Sequence, residues 1–307
     1  MKRVLVIGDV MFDKYNYVKT ERQAPEAPIP VWDSQRIEYR PGGAANVAAN
    51  IRSIANKVNP KDISVYLLGI VDKSDSGREL HALSGYGVSL MFLAHGHSMV
   101  KERFVNAGKI IFRHDDSKFF DPDDVAYFEK LSLGYVFKQS FDAVVFSDYD
   151  KGTITGKVVD HFRKMSKISV VDSKRADLGI YEGCNVLKLN EFEYSKQVSL
   201  AANSPSRTPI EMKFANVVVT KGARGAELRQ FSGARYDSEN NTVQYSTFTE
   251  EFPTAKVKQV DVTGCGDTHT AAMTVSLIND PDPRRAIKFA NECASQVVQK
   301  FGTTIAT

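Results

Sequence analysis

Six short runs rich in β-branched residues place the strongest limit on how this chain can fold. Most of them are apolar at nearly every position, which is typical of strands buried on both faces of a sheet. Stretches with the apolar spacing of helices lie between them, and strands that alternate with helices form parallel sheets covered on both sides. We therefore predict an α/β fold with a mostly parallel central sheet. The strand-like runs are residues 3–8, 64–71, 142–148, 168–173, 185–190 and 216–222, and the helical stretches are 44–55, 122–133, 155–165 and 191–201.

Two segments interrupt this alternation. Residues 12–40 and 98–115 are polar and aromatic and partly alternate in hydropathy, with no helical period. The pattern predicts hairpin strands outside the main sheet, either as a lid over a site or as a solvated hairpin at an edge. The 307 residues, of which 42% are hydrophobic and 25% charged, suffice for one large core. We expect a single domain over residues 1–307, with the two segments as its lid.

Charge and cysteine content argue against several classes of protein. The formal net charge of +3 is spread along the chain, and no run of five or more basic residues points to nucleic acid. The cysteines Cys184, Cys265 and Cys293 are odd in number and far apart, so neither a disulfide framework nor a zinc site is indicated. The apolar run at the amino terminus is too short for a signal sequence or a membrane span. We expect a cytoplasmic protein that binds neither nucleic acid nor membrane.

The segment DVTGCGDT, residues 261–268, carries the clearest chemical signal. A glycine-rich turn before a helix leaves backbone N–H groups free to bind an anion, and the helix dipole adds positive potential there. Gly264, Cys265 and Gly266 would supply these donors. Asp267 could serve as an N-terminal cap of the helix. If a phosphate binds at this turn, however, Asp267 would repel it, so the carboxylate needs another task, and taking the proton of an attacking hydroxyl is such a task. The second reading favours phosphoryl transfer.

A second glycine pair opens a helix of small residues in RPGGAANVAANI, residues 40–51. Gly42 and Gly43 would let a ligand approach the backbone closely. Asp9 and Asp13 follow the first strand-like run, at the carboxyl end where α/β folds build their sites. We therefore expect these two carboxylates to bind sugar hydroxyls. The alternative is that Asp9 and Asp13 serve only as turn or cap residues.

The two glycine-rich segments resemble the two signatures of the ribokinase-like, or PfkB-type, carbohydrate kinases. Eight segments occur in the order typical of that family: GDVMFDKYNY, PEAPIPV, RPGGAANVA, FSDYDKG, NEFE, VTKGARG, DVTGCGDT and FGT. The resemblance covers almost the whole chain, and it implies a ribokinase-like three-layer sandwich with a mostly parallel central sheet and a small β-strand lid. It also implies an ATP-dependent carbohydrate kinase.

Within the family the resemblance is strongest to the kinases of D-glycero-β-D-manno-heptose 7-phosphate. It implies phosphorylation of O1 to give the 1,7-bisphosphate, on the route to ADP-heptose for the lipopolysaccharide core. A PfkB-type kinase of another sugar or sugar phosphate is the alternative. The nucleotidyltransferase domain that is fused to some of these kinases is not expected in this chain.

The resemblance assigns roles to individual residues. It implies that Asp267 is the catalytic base and that residues 264–266 form the anion hole for the transferred phosphate. The residues implied to line the nucleotide are Lys174, Asn190, Glu193, Thr220, Lys221, Gly222, Gly225 and Asn291, and those implied to hold the sugar are Asp9, Asp13, Gly42, Gly43 and Asn46.

Two cation sites are implied in the same way. Asn190 and Glu193 would organise Mg²⁺, largely through water, because a hard cation prefers oxygen ligands. Both residues also suit the start of a helix, which is the alternative role. Asp261 and Thr263 would hold a monovalent cation, such as K⁺, through oxygen atoms.

Basic residues on the second lid segment suggest a phosphorylated substrate. Lys101 and Arg103 are two apart on a predicted strand, so their side chains leave the same face, and Arg113 lies on the next strand after a turn. Such a cluster would close over a phosphate of the sugar, with a solvated basic hairpin as the alternative. Exposed lid edges and aromatic residues also predict a homodimer formed through the lid.

Departures from the family pattern leave two rival classes open. Cys265 stands where alanine is usual, and with His269 one turn further it would suit a cysteine hydrolase, since a helix N-terminus lowers the pKa of a thiol. That reading places Cys265 on the helix, whereas the glycines around it favour the loop. A sugar sensor that has lost catalysis is the second rival. His95 and His97 are assigned no function.

Overall fold

Two β-sheets organise the computed structural model, which describes residues 1–58, 63–71, 83, 85–94, 97–116, 118–135, 140–202, 208–237 and 242–306. The strands are β1 (Lys2–Gly8), β2 (Val10–Gln23), β3 (Pro30–Gly43), β4 (Ile63–Val71), β5 (Ser89–Ala94), β6 (Met99–Asn106), β7 (Lys109–Asp116), β8 (Phe141–Asp148), β9 (Ser166–Ser173), β10 (Val186–Asn190), β11 (Asn216–Thr220), β12 (Ala226–Asp237) and β13 (Thr242–Phe252). The larger sheet has the order β13-β12-β11-β10-β9-β8-β1-β4-β5, and the smaller has the order β3-β2-β6-β7.

The larger sheet confirms the predicted parallel core. All six predicted runs form strands of this sheet, and their pairings from β11 to β4 are parallel. Parallel strands need crossover connections, and helices supply them between β8 and β9 and between β10 and β11. The antiparallel β12–β13 ribbon at one edge was not predicted from the sequence.

Helices cover both faces of this sheet and give three layers. The helices are α1 (Ala44–Val58), α2 (Pro122–Tyr135), α3 (Gly156–Lys164), α4 (Glu191–Ala202), α5 (Ile210–Lys213), α6 (Cys265–Asn279) and α7 (Pro283–Val297). No helix among the described residues is long and apolar enough to span a membrane. Leu5 and Ile7 of β1 face α2, α3 and α5 on one side of the sheet, whereas Val4 and Val6 face α1, α6 and α7 on the other.

The smaller sheet is built from the two segments that were predicted to lie outside the core. Strands β2 and β3 form one hairpin, β6 and β7 form another, and β2 pairs in parallel with β6. The β6–β7 turn has positive φ at Ala107 and Gly108, as two-residue hairpin turns require. Gly43 joins this sheet to α1 with a φ of 55°, and a Cβ there would lie 2.5 Å from the carbonyl oxygen of Asp9. Glycine therefore allows the two sheets to meet beside Asp9.

Candidate active site

The carboxyl ends of the central parallel strands bring three predicted site residues, together with Tyr149, to one edge of the sheet. Asp9 follows β1, Tyr149 follows β8, Lys174 follows β9 and Asn190 ends β10. The N-terminus of α6 lies against the same edge, because Thr270 donates a hydrogen bond to Asp172 of β9. The geometry matches the rule that open α/β sheets bind ligands at this edge.

The start of α6 forms a set of free backbone donors. Gly264 is the residue before the helix and has a φ of 79°, and a Cβ there would lie 2.8 Å from the side-chain nitrogen of Asn46. Among the described residues, the N–H groups of Gly266 and Asp267 have no hydrogen-bond acceptor, as expected for a first helical turn. This turn suits an anion, because two N–H groups and the helix dipole point the same way.

The carboxylate of Asp267 is held by two donors from different parts of the chain. The side-chain amide of Asn46 donates to Oδ2 at 2.8 Å, and the Tyr149 hydroxyl donates to Oδ1 at 2.7 Å. Burial, and then the nearby Asp172, raise the pKa of Asp267, while the hydrogen bonds from Asn46 and Tyr149 oppose that rise. The result is a buried, oriented carboxyl group whose affinity for a proton is increased, which suits a general base.

A buried ion cluster lies behind the helix N-terminus. Asp172 accepts from Lys188 at 2.8 Å and from Lys174 at 3.0 Å, and Lys174 also contacts Glu193 at 2.9 Å. The ammonium group of Lys188 lies close to Gly266, because a Cβ on that glycine would be 3.1 Å from it. The cluster therefore brings a buried positive charge to the helix turn that would bind an anion.

Asn190 and Glu193 form a reciprocal cap at the start of α4. The Asn190 side chain accepts from the backbone N–H of Glu193, and the Glu193 carboxylate accepts from the N–H of Asn190, both at 2.8 Å. This is a capping box, so the helix-start role is present in the structure. Both oxygens of Glu193 already have protein partners. The donor set therefore fits Mg²⁺ through bridging water better than by direct ligation. In the described ranges no cluster of three or more His, Cys, Asp or Glu residues could hold a metal by itself.

The other residues expected to line the nucleotide lie at the β11–β12 connection and on α7. Gly222 has positive φ and open space where a Cβ would be, whereas Gly225 packs its backbone against Phe252. Lys221 is paired with two carboxylates of β12 and β13. Thr220 bonds to the carbonyl of Leu189, and Asn291 bonds to the carbonyl of Phe252 at 2.8 Å, so both also have structural partners.

Asp9 and Asp13, the carboxylates that were expected to hold the sugar, lie where the two sheets meet. Asp9 is fully buried and accepts from the N–H of Tyr149 at 2.7 Å, while its other oxygen has no partner among the described residues. Burial and the neighbouring Asp148 raise the pKa of Asp9 to about 6. Asp13 lies beside Gly42, on which a Cβ would come within 3.3 Å of the Asp13 carboxylate.

The basic residues Lys101, Arg103 and Arg113, expected to bind a sugar phosphate, share one face of the smaller sheet but differ in their partners. The β6–β7 register sets Arg113 opposite Arg103 and Asp115 opposite Lys101. Arg103 is buried and forms an ion pair with Asp13 at 2.5 Å, and Arg113 pairs with Asp115. Lys101 has no carboxylate within salt-bridge distance in the described ranges, and burial lowers its pKa.

The structure corrects the reasoning about Cys265. Cys265 is the first residue of α6 rather than part of the loop. Burial raises the pKa of its thiol to about 11, whereas the sequence argument had expected the helix N-terminus to lower it. Burial also lowers the pKa of His269 to about 3, and its ring nitrogens have no partner in the described structure. A thiol and an imidazole in these states do not form an activated nucleophile. His95 lies outside the described residues, and His97 contacts the carbonyl of Lys118.

The segment of residues 301–306 joins the smaller sheet to the turn before α6. Asp261 of that turn accepts from Thr263 and, at 3.0 Å, from the N–H of Gly302. Arg40 of β3 donates to the carbonyls of Phe301 and Thr303. Asp261 and Thr263, which were expected to hold a monovalent cation, thus lie together, and the carboxylate of Asp261 has partners within the chain.

Several residues of this site were not identified from the sequence. Lys188 carried a signal, because a lysine interrupts an otherwise apolar strand run, and such a charge needs a buried partner. Tyr149 and Thr303 lie in two of the family-like segments, FSDYDKG and FGT, but received no role. Asp172 and Asn50 gave no signal, since the contacts that join them to Lys188, Thr268 and Ala306 link positions that are far apart in sequence.

The fold has the architecture of known sugar and nucleoside kinases. It matches phosphofructokinase-2 from Escherichia coli, solved with substrates and products, with a TM-score of 0.72 and 16% identity over 100% of this chain and 96% of that one. It matches Arabidopsis thaliana ribokinase, solved with ribose and ATP, with a TM-score of 0.64 and 18% identity over 98% and 94%. The fold is therefore ribokinase-like.

Sequence comparison defines the family more closely. The model of the pfkB family of carbohydrate kinases matches residues 1–307, and this chain belongs to that family. "Bifunctional protein HldE" of Shewanella baltica strain OS185 is 31% identical over 98% of this chain and 61% of its own length. The protein of the same name from Coxiella burnetii is 31% identical over 99% and 62%. The chain thus spans about three fifths of the length of these curated relatives.

Proposed function

We propose that this carbohydrate kinase transfers the terminal phosphate of ATP to O1 of D-glycero-β-D-manno-heptose 7-phosphate. The observation that carries the proposal is the carboxylate of Asp267, held by Asn46 and Tyr149 beside the unpaired N–H groups of the first turn of α6. The heptose is supported by the motif resemblance and by the identity with HldE proteins. Another sugar or sugar phosphate is the alternative.

In this proposal each part of the site has one task. Asp9 and Asp13 accept hydrogen bonds from sugar hydroxyls, and Gly42 and Gly43 let the sugar approach the chain. Asp267 takes the proton of the anomeric hydroxyl, as carboxylates do in phosphoryl transfer. The N–H groups at the start of α6 stabilise charge on the transferred group, aided by the ammonium of Lys188.

ATP would supply the phosphoryl group, and a bound Mg²⁺ would neutralise charge on it. Asn190 and Glu193 would act on the Mg²⁺ mainly through water, since both are engaged in the cap of α4. Lys174, residues 220–225 and Asn291 would face the nucleotide. Asp261 and Thr263 would hold a K⁺ ion; the E. coli phosphofructokinase-2 has been solved in complex with potassium.

The role of the base is tested by replacing Asp267 with asparagine. Asp267→Asn keeps the size of the side chain and removes the proton acceptor, so kcat should fall by roughly 10²-fold or more with little change in ATP affinity. Asp280→Asn, on the residue that follows α6, is the matched control and should behave like wild type. Near-normal turnover of Asp267→Asn would refute the assignment.

The substrate is tested with a panel of free and phosphorylated sugars, with ADP release as the readout. The lid cations predict a preference for a phosphorylated sugar, in which Lys101 makes the most direct contact because Arg103 and Arg113 already have carboxylate partners. Replacing Lys101 and Arg103 with alanine should raise KM for that sugar far more than KM for ATP. Lys109→Ala on β7 is the control. Equal use of free and phosphorylated sugars by the wild type would contradict the proposal.

We also propose a homodimer formed through the lid. Strand β7 is exposed along its whole length and is an edge of the smaller sheet, and it presents Ile110, Ile111 and Phe112. Edge strands with exposed apolar residues are commonly covered by pairing. Light scattering at micromolar concentration should give a dimeric mass, and Phe112→Glu should reduce it to that of a monomer. A wild-type protein that is strictly monomeric would contradict this assembly.

A further inference from the structure

Asn50 occupies a fully buried position between the base and the segment of residues 301–306. It lies on α1 one turn after Asn46, and both side chains have no exposed surface. The side-chain nitrogen of Asn50 donates to the backbone carbonyl and to the side-chain oxygen of Asn46, each at 2.9 Å. Its side-chain oxygen accepts from the backbone N–H of Ala306 at 3.0 Å and from the Thr268 hydroxyl at 3.2 Å. Both donors and both acceptor positions of this amide are therefore used.

These contacts fix which way each amide points. An asparagine side chain can turn by 180°, but a backbone N–H only donates, so the N–H of Ala306 requires the oxygen of Asn50 on its side. The nitrogen of Asn50 must then face Asn46, and the oxygen of Asn46 must face Asn50. This leaves the side-chain nitrogen of Asn46 directed at Asp267, where it donates to Oδ2.

We propose that Asn50 is a positioning residue that keeps the amide of Asn46 donating to the base, with its own orientation set by Ala306. The proposal rests on the proposed function of Asp267. If the amide of Asn46 turned by 180°, its side-chain oxygen would face the carboxylate of Asp267. The two oxygens would repel each other, and the carboxylate would be free to rotate. Asn50 thus acts on Asp267 through Asn46, and it has no exposed surface that could contact substrate or nucleotide.

A size-matched substitution tests this directly. Asn50→Asp has no donor for Asn46 when ionised, so the Asn46 amide should turn and the base should lose one of its two hydrogen bonds. A hydrogen bond to a charged group supports a fall in kcat of about 10- to 100-fold, with KM for ATP close to wild type. Ser53→Ala is the control: Ser53 lies on the same helix and bonds to the carbonyl of Ala306 at 2.8 Å without touching Asn46, so kcat should not change.

A double-mutant cycle separates a relay from a structural role. If Asn50 acts only through Asn46, then Asn50→Asp in an Asn46→Ala background should cost no further activity. Losses of kcat that multiply in the double mutant would overturn the proposal. Asp267→Asn is measured in parallel. Near-normal turnover of that variant would overturn the proposed function and, with it, the role of Asn50. If Asp267→Asn is inactive but the losses of the Asn50 and Asn46 variants multiply, only the role of Asn50 is overturned.

An uncharged variant provides a second readout, and it keeps the proposal testable if Asn50→Asp does not fold. Asn50→Leu removes both hydrogen-bonding groups without adding charge, and thermal unfolding reports whether it is folded. The groups facing Asp267 are Asp172 on β9, Lys188 on β10, Tyr149 after β8 and Cys265 on its own helix, and none of them is changed. Loss of the Asn46 donor should move the acidic limb of the kcat profile to higher pH. A folded Asn50→Leu with an unmoved limb and unchanged kcat would overturn the proposal.

Discussion

Replacing Asp172 with asparagine should destabilise the protein more than any exposed ion pair can. Asp172 is almost fully buried and is the shared partner of Lys188 and Lys174. Burial alone would raise its pKa, but the two ammonium groups and their hydrogen bonds outweigh burial and hold the pKa well below its ordinary value of 3.8. Removing this carboxylate leaves Lys188 buried without a counter-charge, and breaking a buried pair in this way costs about 3–5 kcal/mol.

The expected shift in melting temperature follows from chain length. Unfolding entropy of about 2.1 cal/mol/K per residue gives about 0.64 kcal/mol/K for a chain of 307 residues. The substitution should therefore lower Tm by about 5–8 °C in a calorimetric scan at pH 7. Lys19→Met, which breaks the exposed pair with Glu21, should leave Tm nearly unchanged.

The pH dependence of the Tm difference between wild type and Asp172→Asn tests whether the buried carboxylate causes it. A carboxyl group with a lowered folded-state pKa contributes stability above its unfolded pKa, and this contribution is lost as the pH falls through the folded pKa. The gap in Tm between wild type and Asp172→Asn should thus be full at pH 7 and shrink below pH 3.8. A gap no larger than that of Lys19→Met, or one that is independent of pH, would refute the reasoning.

Three further predictions concern single groups of the site. Because the pKa of Asp9 is raised to about 6, ionisation of Asp9 should lower the free energy of unfolding as the pH rises from 3.8 to 6. In urea titrations Asp9→Asn should remove up to about 3 kcal/mol of this loss, and equal pH slopes for the variant and the wild type would contradict the prediction. Cys265→Ala should remain an active kinase, and complete loss of activity would revive the thiol hypothesis. Tyr149→Phe removes a donor to Asp267, so kcat should fall about tenfold and its acidic limb should move to higher pH, whereas a change confined to KM would contradict the contact.

The parallel core was predictable because its signals are local. Each run such as 142–148 is apolar enough to indicate a strand buried on both faces, and the helices between the runs then require parallel pairing. The β12–β13 ribbon was not predicted because its outer part, which includes Tyr236 and Tyr245, is exposed, and there the two strands pair only with each other. An exposed ribbon has no buried face to impose a clear pattern on its sequence.

The site was predictable in its residue types but not in its pairings. The glycines around Asp267 and the basic residues of β6 could be read from short motifs. The ion pair between Arg103 and Asp13 could not, because it arises from the parallel pairing of β6 with β2, which are 90 residues apart at this contact. The amide chain through Asn50 joins residues on α1, on α6 and at Ala306, and no local pattern reports such a closure.

The contacts of residues 301–306 have a consequence for the order in which the enzyme is made. A ribosome completes every strand and helix described above before these residues emerge. The partners of Asn50, Arg40 and Asp261 in this segment are therefore missing from the nascent chain until residues 301–306 are translated. Asp267 is joined to Ala306 through Asn46 and Asn50 only when this segment docks. The hydrogen-bond chain behind Asp267 is thus completed after both sheets have been synthesised.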